Sequence, residues 1–194
     1  MGIFDGFRKE KEAVPQADTG RKETDEFDNL LMELMGQDDI QDRSDICEHI
    51  YAHATKLLET PTSETVYRAY HLMGNLAAQF SYIPAMLWMG DFLENVQNKY
   101  ERAAIWYKRA AEQGSGQGAR NYADMLMAGK GMQANQREAL KYYSFAMEKG
   151  IPEAAFVVGE FLRSAGDRNG ARQAYQKAMN GGYAPAKVRL DQMK

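Results

Sequence analysis

The sequence predicts an all-α protein, a stack of antiparallel helix pairs, and three observations predict it. The segments that end at Gly114, Gly150 and Gly182 superpose. Alanine stands eleven residues before each glycine (Ala103, Ala139, Ala171), tyrosine seven before (Tyr107, Tyr143, Tyr175) and alanine four before (Ala110, Ala146, Ala178). A small residue follows the first two glycines by nine positions, at Ala123 and Gly159, and Gly90 takes that place in the preceding unit. The closing glycines are 36 and then 32 residues apart, the length of one helical hairpin. Separations of 11, 7 and 4 put alanine, tyrosine and alanine on one helical face. The small residues let two helices approach, and the tyrosine fills the space between them. Each glycine then stops its helix in a left-handed conformation. One such pair cannot bury its apolar face alone, so neighbours must stack.

The elements follow in order. Residues 1–23 are expected to be a disordered arm, because Arg8–Glu26 is rich in charge, carries Pro15 and Gly20, and has few large apolar residues. Its tip holds Ile3, Phe4 and Phe7 before Arg8, Lys9 and Lys11. That is either a weak amphipathic anchor or a frayed terminus, and three apolar residues favour the latter. Residues 24–43 are expected to form an acidic amphipathic helix and connector, with Phe27, Leu30, Leu31 and Leu34 on one face of Thr24–Met35. Residues 44–194 are the repeat domain. Ser44–Glu59 and Ser63–Phe80 make a degenerate first pair, with Gly74 where later units have tyrosine. Pro84–Asn95 with Lys99–Gln113, Gln117–Ala128 with Asn135–Lys149, and Pro152–Ser164 with Asp167–Asn180 are the next three pairs, and Pro185–Met193 closes the stack. Pro84, Pro152 and Pro185 sit near helix starts, where proline is tolerated.

Residues 111–114 read Ala-Glu-Gln-Gly, and Gly129-Lys130-Gly131-Met132 precedes Glu138-Ala139-Leu140-Lys141-Tyr142-Tyr143. This glycine-x-glycine turn with an alanine-x-x-x-tyrosine second helix resembles Sel-one-like repeats, relatives of the tetratricopeptide repeats. The resemblance is clearest over residues 81–182 and does not reach 1–43. It implies a right-handed superhelix, an α-solenoid, acting as a bacterial-type protein–protein interaction scaffold or adaptor rather than an enzyme. An immunity-type inhibitor of an effector is one role that related repeat proteins suggest. A membrane-associated assembly factor, tethered through residues 1–11, is a further alternative but is not favoured.

Charge and composition agree with this. The chain has 24 basic and 27 acidic residues, a net charge of −3, so nothing neutralises a phosphate backbone and no nucleic-acid partner is expected. Residues 1–45 hold 13 acids against 6 bases, while the remainder is net basic, so the acidic segment is a candidate to dock on the body in cis. The lone cysteine, Cys47, excludes an intrachain disulfide and makes a reducing, cytoplasmic setting the default. No run of about 18 apolar residues suggests a membrane span.

No residue pattern in the sequence calls for a catalytic residue, metal or cofactor. His49 and His53 share a helix face but lack an evident third ligand. His71 has no evident nucleophile partner, and pairing Cys47 with a histidine is only a formal arrangement. Gly114-Ser115-Gly116-Gln117-Gly118 looks like a phosphate loop, but it joins helices and lacks the glycine-lysine-serine/threonine ending. Asp38, Asp39, Asp42 and Asp45 do not have calcium-loop spacing and read as a solvated connector. Most of the twelve methionines read as packing.

The resemblance places the first helix of each pair on the inner, concave wall. The helical period then puts Met86, Met89, Leu93, Tyr122, Leu126, Val158 and Leu162 toward the core. It leaves Leu87, Asp91, Glu94 and Asn95, then Arg120, Asp124 and Met127, then Phe156, Glu160 and Arg163, lining the groove. Acids and arginines alternate there, with Leu87, Met127 and Phe156 as apolar anchors, a surface suited to a peptide or partner helix. The same residues also read as solvated faces with i, i+4 pairs, Asp91 with Asn95 and Arg120 with Asp124. The expected partner is therefore a protein or peptide, and the oligomeric state stays open.

Overall fold

A computed structural model describes residues 22–36 and 42–193. The arm at residues 1–21, with its apolar tip, and Asp38 and Asp39 of the connector lie outside the described residues. Among the described residues all regular structure is helical. The helices are α1 (Lys22–Met35), α2 (Arg43–Leu57), α3 (Ser63–Gln79), α4 (Ile83–Asn95), α5 (Tyr100–Glu112), α6 (Gly116–Ala128), α7 (Gln136–Glu148), α8 (Pro152–Ser164), α9 (Arg168–Asn180) and α10 (Pro185–Asp191). The boundaries lie within a few residues of those expected from the repeat. The chain divides at Lys99 into two compact units.

Local chemistry starts and stops these helices. Asp42 and Asp45 close a capping box on α2, and Thr62 and Thr65 close one on α3, so these two acids of the connector serve as a helix cap. Ser115, Asn135 and Asp167 each accept from the amide three residues on, at 3.0, 3.1 and 2.9 Å. The phosphate-loop lookalike at 114–118 is thus a helix start whose serine is occupied. Pro84, Pro152 and Pro185 occupy the first helical turns of α4, α8 and α10.

The closing glycines explain the repeat's phase. Gly114, Gly150 and Gly182 have φ of 91°, 84° and 89°, a region costly for residues with a Cβ. That turn lets the next residue's amide reach back to the alanine four before the glycine. Ser115 donates to the Ala110 carbonyl, Ile151 to Ala146 and Tyr183 to Ala178, at 2.9–3.0 Å. The alanines therefore serve twice, as close-packing surface and as acceptors of the helix-ending hydrogen bond.

In the first unit, α1 lies on α2 and α3. Phe27 and Leu34 are buried, and the Phe27 ring meets Phe80 edge-on at 6.1 Å. The acidic helix thus packs on the degenerate first pair. Leu30 and Leu31 are only half-buried. The space left by Gly74 is filled from α4 by the Met89 methyl group. Of the two small positions in α3, Ala77 is buried and Ala78 is exposed.

The second unit carries the regular repeat. Tyr107, Tyr143 and Tyr175 are 1%, 3% and 0% exposed, as the wedge role requires. A Cβ added at Gly159 would lie 2.6 Å from the Tyr175 ring, so α8 and α9 touch there with no room for a methyl group. The core positions Met86, Met89, Leu93, Tyr122, Leu126 and Val158 are buried as the period requires, and Leu162 is half-buried.

Candidate functional site

The predicted groove residues occupy faces of three helices. On α4, in the first unit, Leu87, Asp91 and Glu94 are half-buried and Asn95 is exposed. The expected Asp91–Asn95 side-chain pair is not formed as such. The Asn95 amide donates to the backbone carbonyl of Asp91 at 3.1 Å, which leaves the carboxylate turned to other neighbours. One of these is Tyr51 of α2, whose phenol is raised above its usual pKa by burial and by the Asp91 charge.

On α6, Arg120 Nε lies 3.1 Å from Asp124 Oδ2, forming the expected i, i+4 pair. Arg120 also donates to Asn121 at 3.2 Å. The second oxygen of Asp124 accepts from the Tyr143 hydroxyl of α7 at 2.5 Å. Burial, this hydrogen bond and the adjacent charge push the Tyr143 phenol far up, so it stays protonated and donates. Met127 is half-buried beside this pair.

On α8 the corresponding acid is Glu160, and it is held more tightly. The Tyr175 hydroxyl donates to Oε1 at 2.6 Å, Arg189 of α10 donates to the same oxygen at 2.7 Å, and Arg163 donates to Oε2 at 3.0 Å. Burial opposes its charge, but the hydrogen bonds from Tyr175, Arg189 and Arg163 outweigh it and hold its pKa below the ordinary value. A carboxylate of lowered pKa stabilises the fold fully above the ordinary carboxylate range, and that contribution is lost as pH falls through its folded value. Glu160→Gln is therefore expected to destabilise the protein at neutral pH, with the difference from wild type shrinking below about pH 4. Urea denaturation at both pH values checks this; an unchanged difference would show that ionisation of Glu160 is not what matters.

Phe156, expected as an apolar anchor of the groove, is half-buried: its ring packs 5.6 Å from Tyr175 and 5.2 Å from Tyr183, against the closing cluster of Ala155, Ala171, Ala186 and Met193. Helical period set its face correctly, but the turn after α9 folds Tyr183 over that face.

Within the second unit the structure joins Arg120 to Asp124 and Glu160 to Arg163. Among the described residues no hydrogen bond or ion pair links the α6 row to the α8 row. The sequence reading missed Arg189, and it took Tyr143 and Tyr175 as packing alone. The signal for the tyrosine hydroxyls was present, since an acid directly follows the small residue at both Asp124 and Glu160.

A separate cleft in the second unit lies elsewhere. It measures about 490 Å³ and runs between the end of α5 and α7, lined by Ala111, Glu112, Asn135, Arg137, Glu138, Lys141, Tyr142 and Phe145. At the histidine pair, His49 Nδ1 lies 2.8 Å from the Asp45 carbonyl and His53 is half-buried. No group of three metal-binding side chains occurs among the described residues, and none of their helices is long and apolar enough to cross a membrane.

Comparison with known proteins places this geometry in context. No protein-family model matches the chain. An uncharacterized protein of Neisseria meningitidis serogroup B is 27% identical over 131 residues, covering 66% of this chain, and the match spans only 27% of that relative's length. Among solved structures, a Sel1 repeat protein from Oxalobacter formigenes is similar, with a TM-score of 0.56 and 26% identity, over 62% of this chain and 95% of that one. A protective antigen of uropathogenic Escherichia coli with an SLR fold is also similar in fold, with a TM-score of 0.63 and 18% identity, over all of this chain and 44% of that one.

Proposed function

We propose, from the premise that this chain is a Sel1-like, tetratricopeptide-like repeat protein, that it is a non-enzymatic scaffold holding a peptide or partner helix against its first-helix rows. One observation carries the reading. In each of two successive repeats, the wedge tyrosine of the second helix reaches through the pair and fixes a partly exposed acid of the first helix, Asp124 in one and Glu160 in the other. A buried tyrosine hydroxyl needs a hydrogen-bond partner, and in both repeats that partner is a first-helix carboxylate. Fixing these side chains in advance lowers the entropy lost when a partner orders them.

The chemistry offered is a row of oriented charges. Arg120 and Arg163 keep side-chain exposures of 35% and 50% while held by their acids, so each guanidinium has donors left for a partner's carboxylate. Within the second unit, Met127 supplies a half-buried apolar contact. Asp91, which directly follows Gly90 as Asp124 follows Ala123, extends the same sequence pattern to α4.

The test is affinity capture from source-cell extract with the wild-type chain and with Arg120→Glu and Arg163→Glu, after circular dichroism shows that both variants fold. A partner held by the wild type and lost from both variants supports the reading. A partner retained by both overturns it.

A further inference from the structure

The cleft between α5 and α7 is separate from these rows and has its own character. Its floor is aromatic. Tyr142 and Phe145 line it, and Tyr122 stands edge-on to Tyr142 at 4.8 Å. One rim is basic: Arg137 and Lys141 lie four residues apart along the face of α7 that carries Phe145, and just past the helix the Lys149 ammonium sits 5.3 Å from the Phe145 ring. Arg137 and Lys141 make no ion pair or hydrogen bond among the described residues, in contrast to Arg120 and Arg163. Glu138 is tied to Asn135 at 3.0 Å, which leaves Glu112 as the free acid on the opposite rim.

The complement of this surface is present on the same chain. Helix α1 buries Phe27 and Leu34 but leaves Met32 and Met35 each 69% exposed, the most exposed large apolar residues described. Asp28, Met32 and Met35 follow one another at helical spacing, with Glu33 beside them, and both acids are exposed. An acidic helix face with two flexible thioethers matches a basic-rimmed aromatic cleft in charge and in the preference of sulfur for aromatic rings.

We infer that the α5–α7 cleft receives the outer face of α1 from a second copy of this chain. The methionines lie on Tyr142 and Phe145, the acids face Arg137 and Lys141, and Glu112 keeps the acidic side turned toward α7. The contact is heterologous, since two different patches meet, so each copy offers one donor face and one acceptor cleft. The small area makes it weak.

Analytical ultracentrifugation of the full chain tests this. The wild type is expected to sediment faster as its concentration rises into the high micromolar range. Met32→Asp and Lys141→Glu, both at exposed positions, are each expected to weaken association about tenfold or more. Mixed together, these two variants retain one intact face and one intact cleft between them and are expected to form a dimer that grows no further. A wild type that stays monomeric, association undiminished in either variant, or variants that fail to complement each other overturns the inference. So does a monomeric chain whose cleft binds an added acidic peptide.

Discussion

Replacing Tyr175 with alanine is expected to lower the unfolding free energy of the second unit by about 3–5 kcal/mol, the range for large aromatic truncations in a core. The side chain is fully buried and packs against Ala171, Ala178 and the Phe156 ring. Gly159 meets its ring at the distance where even a methyl group would collide, so the surrounding backbone is already shaped to it and cannot readily fill the void. Tyr175→Phe keeps the wedge and removes the hydroxyl with its bond to Glu160, which is expected to cost about 1.5–3 kcal/mol, as for hydrogen bonds to charged groups. Urea denaturation of the two variants separates packing from anchoring. Equal losses would mean that the ring itself contributes little and that the repeat's tyrosine is not its wedge.

The next largest effect is expected at Gly131, in the turn between α6 and α7. Its φ is +69°, and a Cβ there would overlap the backbone of Tyr100 and Glu101 at the start of α5. The glycine-x-glycine turn is thus a backbone-on-backbone contact within the second unit, which is why a side chain is absent. Gly131→Ala combines about 1–2 kcal/mol for the left-handed conformation with about 1–3 kcal/mol for forced overpacking. Lys130→Ala, beside it, leaves the backbone contact intact and removes a cation that lies over the Tyr100 ring, a contact worth about 1 kcal/mol or less at an exposed site. Hydrogen exchange at the first turn of α5 is the specific readout. It should accelerate in Gly131→Ala and hold steady in Lys130→Ala; similar behaviour in both would remove the close-contact explanation.

What the sequence disclosed and what it hid follow from the range of the interactions. Closing glycines, alanine acceptors and wedge tyrosines are local to one hairpin, so their spacing displays them. The Arg120–Asp124 pair is one helical turn long and was legible for the same reason. Arg189 reaches Glu160 from 29 residues away, and no period connects α8 with the closing helix. Phe156 lies on the face that the period assigns, but whether that face is open depends on Tyr183, which arrives after another helix and a turn. The α5–α7 cleft belongs to two second helices, whereas the family resemblance directed attention to the first ones. The acidic helix α1 makes its contacts with the degenerate first pair, α2 and α3, and no sequence period links it to them.

The central claim is that partners are received on the first-helix rows, and site-specific photo-crosslinking addresses it most directly. A photoreactive residue is placed at Met127 or Arg163 in those rows, or at the exposed Gln173 on the second helix α9, and the full chain is illuminated with the captured partner. The account predicts crosslinks from positions 127 and 163 and none from 173. Crosslinks from 173 with silence at 127 and 163 would contradict it.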